Sequence, residues 1–281
     1  MSCFVELRGN IREIVRPYFA MFRMRWIAGL QYRTAAWAGI ATQYFWGAIS
    51  IMVMVAFYNS TTSEPPMPLS HAVSYQWLRQ AFLAIIALYV TSDELISQIL
   101  NGHVAYSMIK PFDLYTFWYA HLAGQRLANV ALRFLPVLLL AYILPAPYGL
   151  MLPPSVGALG LFALSLAISL LLVTAVSMFV YILTFIMLSP YAARLIVGIP
   201  SEFLMGALIP VPLMPESLQR ALDFLPFRYI ADLPFRLYTG GINGADAYRQ
   251  LLIQLIWTAA LILIGRASMK HIQRRIVIQG G

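Results

Sequence analysis

Long apolar runs alternate with short polar or proline-rich breaks along this chain. Apolar sequence dominates about 34–57, 73–91, 117–144, 156–188, 190–212 and 249–266. Each run is close to or above the ~20 residues a helix needs to cross hydrocarbon. The run at 156–188 is almost unbroken, and at 1.5 Å per residue it would be about 50 Å long, so it must tilt or protrude. The fifth run is interrupted by Pro200 and Pro210. Residues 58–72 and 145–155 are turn-rich and carry no Lys or Arg, which marks them as exposed loops.

Two further segments have a helical period without the length to span. Over 4–30, Ile11, Ile14, Val15, Tyr18, Phe19 and Phe22 recur at helical spacing, and Arg8, Arg12, Arg16 and Arg23 share an opposite face. That pattern suits a helix lying in the headgroup plane, with Pro17 kinking or restarting it; packing on another subunit is the alternative. Between 213 and 247, short apolar pieces at 216–225 and 227–238 are fenced by Pro210, Pro212, Pro215, Pro226 and Pro234. Pieces of that length at a membrane fit a re-entrant pair or a structured outer loop. The expected fold is therefore an all-α integral membrane protein with six transmembrane helices. Residues 1–33 form an amphipathic interfacial helix, and 34–281 form a transmembrane domain. Within that domain lie a polar loop at 92–115 and two short re-entrant helices in 213–247, before the last span.

Composition agrees. Apolar residues make up 60% of the 281, charged residues 11%, and the mean hydropathy is +0.74. Soluble domains carry about 25% charged residues, so lipid must solvate much of this surface. The net charge of +8 is concentrated near the two chain ends, beside apolar runs, which suits anionic headgroups rather than nucleic acid. The one cysteine, Cys3, excludes an internal disulfide framework. No cleavable signal pattern is evident, so the first span is expected to act as an uncleaved anchor. Arginines before the first span, and Arg266, Lys270, Arg274 and Arg275 after the last, place both termini in the cytoplasm. The arginines at 220, 228 and 236 on the opposite side are partly offset by Asp223 and Asp232.

Candidate chemistry is sparse. There is no P-loop and no HExxH, the four histidines are scattered, and no nucleophile motif or paired carboxylates stand out, so no catalytic or metal residues are assigned. In 92–111, Ser92 is placed as a helix N-cap, with Asp93 and Glu94 in the first turn. Leu95, Ile96, Ile99 and Leu100 form a short apolar face, and Asn101-Gly102 and Pro111 close the segment. Such a helix is either a docking surface for a soluble partner or a helix resting on the membrane. Arg126, Arg133 and Glu202 fall inside apolar runs, where an ionisable group costs on the order of 3 kcal/mol unless paired or wet. Arg133 and Glu202 have matching depth and opposite sign, and a pair between them is expected. Tyr44, Phe45 and Trp46 are candidate lining residues.

Taken together, these residues resemble the permease subunit of an ABC-2 type (type V) ATP-binding-cassette exporter, closest to the viologen-exporter-like branch. NGHVAYSMIKPFDLY carries Gly102, Lys110 and Pro111 where that branch has G-x-x-x-x-x-L-x-(R/K)-P, with Met108 in place of Leu. The ending that contains Pro215, Pro226, Phe227, Tyr229, Pro234 and Gly240 resembles the branch's pattern before the last span. The resemblance implies a bacterial inner-membrane protein with no cofactor of its own. ATP and Mg would sit on two copies of a separate ATPase subunit. The helix in 92–109 would be a coupling helix seated on that ATPase through Asp93, Glu94, Leu95, Ile96, Ile99, Leu100 and Gly102. A second permease, identical or homologous, would complete a pathway between the first, second and fifth spans. The Arg126/Arg133 set matches no assigned role in that family. A polytopic membrane enzyme, such as a lipid-modifying transferase, and an ion-coupled carrier are the alternatives.

Overall fold

The computed structural model describes residues 2–31, 33–62, 64–88 and 90–274, with side chains from residue 13 onward except at 33 and 35. Arg8, Arg12 and Arg275 lie outside the described side chains. Among the described residues there are helices and no strands. In order they are α1 (Ser2–Leu30), α2 (Arg33–Ser60), α3 (Leu69–Ala81), α4 (Leu83–Ile86), α5 (Asp93–Leu100), α6 (Val104–Met108) and α7 (Leu114–Ala131). Then come α8 (Phe134–Ile143), α9 (Val156–Met187), α10 (Pro190–Leu204), α11 (Glu216–Asp223), α12 (Asp232–Thr239) and α13 (Gly244–Gln273). Single 3-10 turns at Val211–Leu213 and Phe227–Tyr229 lie on either side of α11.

Among the described residues, four helical stretches are long and apolar enough to cross a membrane: Ala36–Ser60, Leu114–Ile143, Val156–Met187 and Gly244–Gln273. Their outward faces carry Trp37, Met52, Val53, Leu139, Ile143, Leu164, Leu255 and Leu263, all exposed. An apolar exterior on long helices with satisfied backbones is how a membrane protein meets lipid. The chain is a helical membrane protein.

The other two expected spans differ from their apolar runs. Over 73–91 the helix is broken at Phe82, whose ring stacks on Phe134 and meets Phe162 edge-on, and α4 ends at Ile86. Over 190–212 the helix passes through Pro200 but ends at Leu204, about 22 Å long. Gly206, at φ +78, then turns the chain where an added Cβ would lie 2.9 Å from the Tyr75 hydroxyl. Leu114–Ile143 also bends at Leu132–Arg133, because Pro136 has no N–H for the Leu132 carbonyl. Pro17, by contrast, neither ends nor restarts α1, which runs unbroken from Ser2 to Leu30.

Local caps fix several starts. Asp113 accepts from the Thr116 N–H at 3.0 Å, Ser155 from Ala158 at 3.0 Å, and Ser189 from Ala192 at 3.3 Å. α9 is the central post, packed by α13, α10, α12 and α7. α1 lies along α7, and small residues permit the close approach. A Cβ on Gly124 would sit 2.6 Å from the Phe22 carbonyl, and one on Gly29 would sit 2.5 Å from Ala128. One end of the bundle gathers α5, α6 and the α9–α10 turn. The opposite end gathers the loops at 64–68 and 144–155, tied by Tyr58 to the Met67 carbonyl and by Trp77 to the Tyr148 carbonyl.

Candidate functional site

A groove with two chambers, one of mixed lining and one mainly apolar, lies between α2, α3 and the α10 end. Gln76, Arg79 and Gln80 stand on one face of α3 at i, i+3 and i+4. The inner chamber, about 190 Å³, is lined by Thr42, Gln43, Gln80 and Glu202 together with the apolar Leu83, Ile86, Ala87, Met205 and Ala207. The outer chamber, about 570 Å³, is lined mainly by Ile49, Val53, Met54, Phe57 and Leu213. Trp46, Ser50, Arg79 and Leu208 border both. Arg79 donates to Gln76 Oε1 at 3.1 Å. Gln43 is buried and its Oε1 has no hydrogen-bond partner. α2 can approach α3 this closely because Gly47 sits over Trp77, where a Cβ would come within 2.8 Å of the indole.

Of the expected lining residues, Trp46 borders the groove, Tyr44 packs on the Trp77 ring at 5.2 Å, and Phe45 faces outward. Glu202 lies in the groove wall with Arg79. Arg133 lies with its guanidinium over Gly39, about one turn of α2 before Gln43.

Arg126 has a structural task. Its Nη1 donates to the Ile85 and Ala87 carbonyls at 2.9 and 2.7 Å, and to Ala84 at 3.4 Å. Its Nη2 donates to the Val90 carbonyl at 3.1 Å and to Ser177 Oγ at 2.8 Å. One buried guanidinium thus satisfies the carbonyls exposed where α4 gives way to extended chain.

At the arginine-rich end, α5 forms over Asp93–Leu100 and is followed by Gly102 at φ +71. Ser92 occupies the N-cap position without a side-chain cap bond; instead its N–H donates to Tyr181 Oη at 2.8 Å. The apolar face does not point outward as a docking face would. Leu95, Ile96 and Ile99 are buried in the chain's own core with Trp118, Met178 and Tyr181. The exposed surface of the segment includes Asp93, Glu94 and Ser97 on α5 and Leu100, Gly102, Tyr106, Ile109 and Lys110 beyond them. The two acids of α5 reach other helices: Glu94 pairs with Arg25 of α1, and Asp93 with Arg194 of α10 at 3.0 Å. Nearby, Asp113 pairs with Arg266 of α13 at 3.3 Å, and its N–H donates to Tyr18 Oη at 2.9 Å. Burial pushes the Asp113 carboxyl up, but the Thr116 hydrogen bonds and the Arg266 charge outweigh it and leave its pKa lowered. Arg16 and Arg23 are exposed on α1 beside exposed Ile14, Val15 and Phe19.

The segment before α13 folds inward. Ser169 donates to the Ile230 carbonyl at 2.7 Å, thirteen residues or about 20 Å along α9 from its start. Gln254 of α13 donates to the Tyr229 carbonyl at 2.8 Å and to the Ser165 carbonyl at 2.9 Å. Buried Asp232 lies 3.7 Å from both Arg228 and Arg236, and Arg228 also pairs with Asp223. Pro226, Tyr229 and Pro234 are buried, Phe227 and Gly240 partly so, and Pro215 is exposed before α11.

Comparison with protein-family models, curated proteins and solved structures finds no match.

Arg79, Gln43, Gln76 and Gln80 were not legible as site residues because their segments read simply as apolar runs. The spacing of Gln76, Arg79 and Gln80 on one helical face was the available signal.

Proposed function

We propose that this chain is the permease subunit of an ATP-driven exporter, with the groove between α2, α3 and α10 as part of the conducted path. On this reading the chain crosses the bacterial inner membrane six times, with α3–α4 and α10 as the short second and fifth crossings. The arginine-rich end is cytoplasmic, in line with the bias of basic residues toward that side. The 3-10 turn at Phe227–Tyr229 and α12 are a re-entrant element, supported by their depth along α9 and their hydrogen bonding within the bundle. A second permease pairs with this one, and two ATPase subunits supply the energy.

The observation that carries the reading is the attachment of α5. A helix of eight residues at the basic end is held to α1 through Glu94 and to α10 through Asp93. α10 in turn carries Glu202 into the groove wall. Movement imposed on α5 from outside would therefore reach a groove-lining helix directly. With Leu95, Ile96 and Ile99 buried, the contact with an ATPase falls to Leu100, Gly102, Tyr106 and Ile109, while Asp93 and Glu94 relay the movement.

Gentle extraction followed by identification of co-purifying chains tests the class. A P-loop ATPase at equal stoichiometry supports it, and its consistent absence overturns it. Tyr106→Glu with Ile109→Glu should then lower ATPase recovery by about tenfold, whereas Leu139→Ala on the apolar exterior should not.

A further inference from the structure

Arg133 carries a charge that the fold leaves uncompensated. It stands at the bend between α7 and α8, inside the apolar stretch Leu114–Ile143. Among the described residues its side chain enters no ion pair and no hydrogen bond. Its Nε is sealed from solvent, whereas Nη1 and Nη2 of this partly buried side chain reach the surface. Arg126, two turns earlier, differs in that its donors are committed to four carbonyls and a hydroxyl. The seat of the Arg133 guanidinium is built. It lies against Gly39 of α2, where an added Cβ would fall 2.7 Å from Cζ and 2.8 Å from Nη1. A larger residue would displace the group, so the glycine keeps the seat open. Gly39 also sets the depth. It lies three residues, about 4.5 Å, past the start of the Ala36–Ser60 stretch. That stretch, about 37 Å long, exceeds a hydrocarbon core of ~30 Å, which puts Gly39 within a turn of the headgroup boundary. Trp37, 68% exposed two residues before it, is the kind of side chain that favours this level. An uncompensated guanidinium there meets lipid phosphates.

We infer that the seam between α2 and the α7–α8 bend binds an anionic phospholipid, whose phosphate is held by Nη1 and Nη2 of Arg133. Two amino groups in a fixed plane match a pair of phosphate oxygens. The seam presents a cation with no acid paired to it, so a head of net negative charge is preferred over a zwitterionic one. The inference requires only that the chain lies in a membrane and is independent of the exporter reading.

Native mass spectrometry of the purified full chain in detergent tests it, with phosphatidylglycerol, phosphatidylcholine of the same acyl chains, and glycerol phosphate as probes. On the natural chain the first phosphatidylglycerol should bind about tenfold more tightly than phosphatidylcholine, and glycerol phosphate should not compete with it. Arg133→Gln should abolish that preference. Gly39→Ala keeps every charge but sets a methyl group against the guanidinium, and should weaken the first phosphatidylglycerol by about fivefold. Arg220→Gln, which removes an equal charge on α11, should leave it unchanged. Equal binding of the two lipids, competition by glycerol phosphate at lipid concentrations, or unaltered binding in Gly39→Ala overturns the inference. So does an Arg133→Gln chain that binds lipid as before but loses a co-purifying partner, since the arginine then serves a protein contact. The head-group series uses the natural chain, so poor folding of a variant does not excuse a negative result. Failure here with an ATPase still co-purifying removes the lipid site alone, whereas lipid binding without an ATPase removes the exporter alone.

Discussion

Two of the interruptions of helical backbone in this bundle, after α4 and before α12, are held in opposite ways. Around the end of α4, the carbonyls of Ala84, Ile85, Ala87 and Val90 accept from a single cation, Arg126, which also donates to Ser177. Where the chain turns at Tyr229–Ile230, neutral groups do the work: Gln254 and Ser169 donate to the carbonyls from two neighbouring helices. Backbone left unpaired away from water is costly in either place, and each solution carries its own risk. A lone cation concentrates the task in one side chain. A network of amide and hydroxyl groups spreads it, so loss of one member is partly absorbed by the rest.

That contrast sets the order of expected effects. Arg126→Leu should be the most damaging substitution, costing about 3–5 kcal/mol and appearing as loss of monodisperse protein on size exclusion. Arg126→Lys should recover only part of this, because a compact ammonium cannot reach the same spread of acceptors. Equal behaviour of Leu and Lys at this position would show that the carbonyl contacts are unimportant. Gln254→Leu should cost less, about 1–3 kcal/mol by thermal unfolding. Its effect should be non-additive with Ser169→Ala, and strict additivity would dissolve the proposed network.

The arginine-rich end offers a third case, in which charges meet near water. Asp93 is 92% exposed in its pair with Arg194, so Asp93→Asn should change stability by less than about 1 kcal/mol. On the proposed function it should nonetheless impair ATP-driven transport, and unaltered transport would remove Asp93 from the relay. Asp113 gives the smallest effect near neutral pH. Its folded-state pKa is lowered, so its contribution is complete above the ordinary carboxylate value of about 4 and is lost as pH falls through the folded value. Thermal stability should therefore be insensitive to this group from pH 7 to 5 and decline below about pH 4. Asp113→Asn should flatten part of that acid decline, and an unchanged acid limb would contradict the assignment.

The sequence alone determined that this is a helical membrane protein, because apolar run length and charge content fix whether a segment prefers lipid. It also located α5 and its Gly102 stop, since first-turn acids and a glycine terminus act locally. Only tertiary structure decided which face of α5 was free. The periodicity of Leu95, Ile96 and Ile99 marks a buried face, but whether this chain or a partner buries it is a question of what packs there, and Trp118 and Tyr181 answer it. The same holds for Arg126. Its cost in an apolar run was legible, yet four of its hydrogen bonds go to backbone carbonyls, which every residue possesses and no side-chain pattern advertises. The groove needed Gln43, Arg79 and Glu202 brought together from three separate segments, and neighbours so distant in sequence leave no local signature.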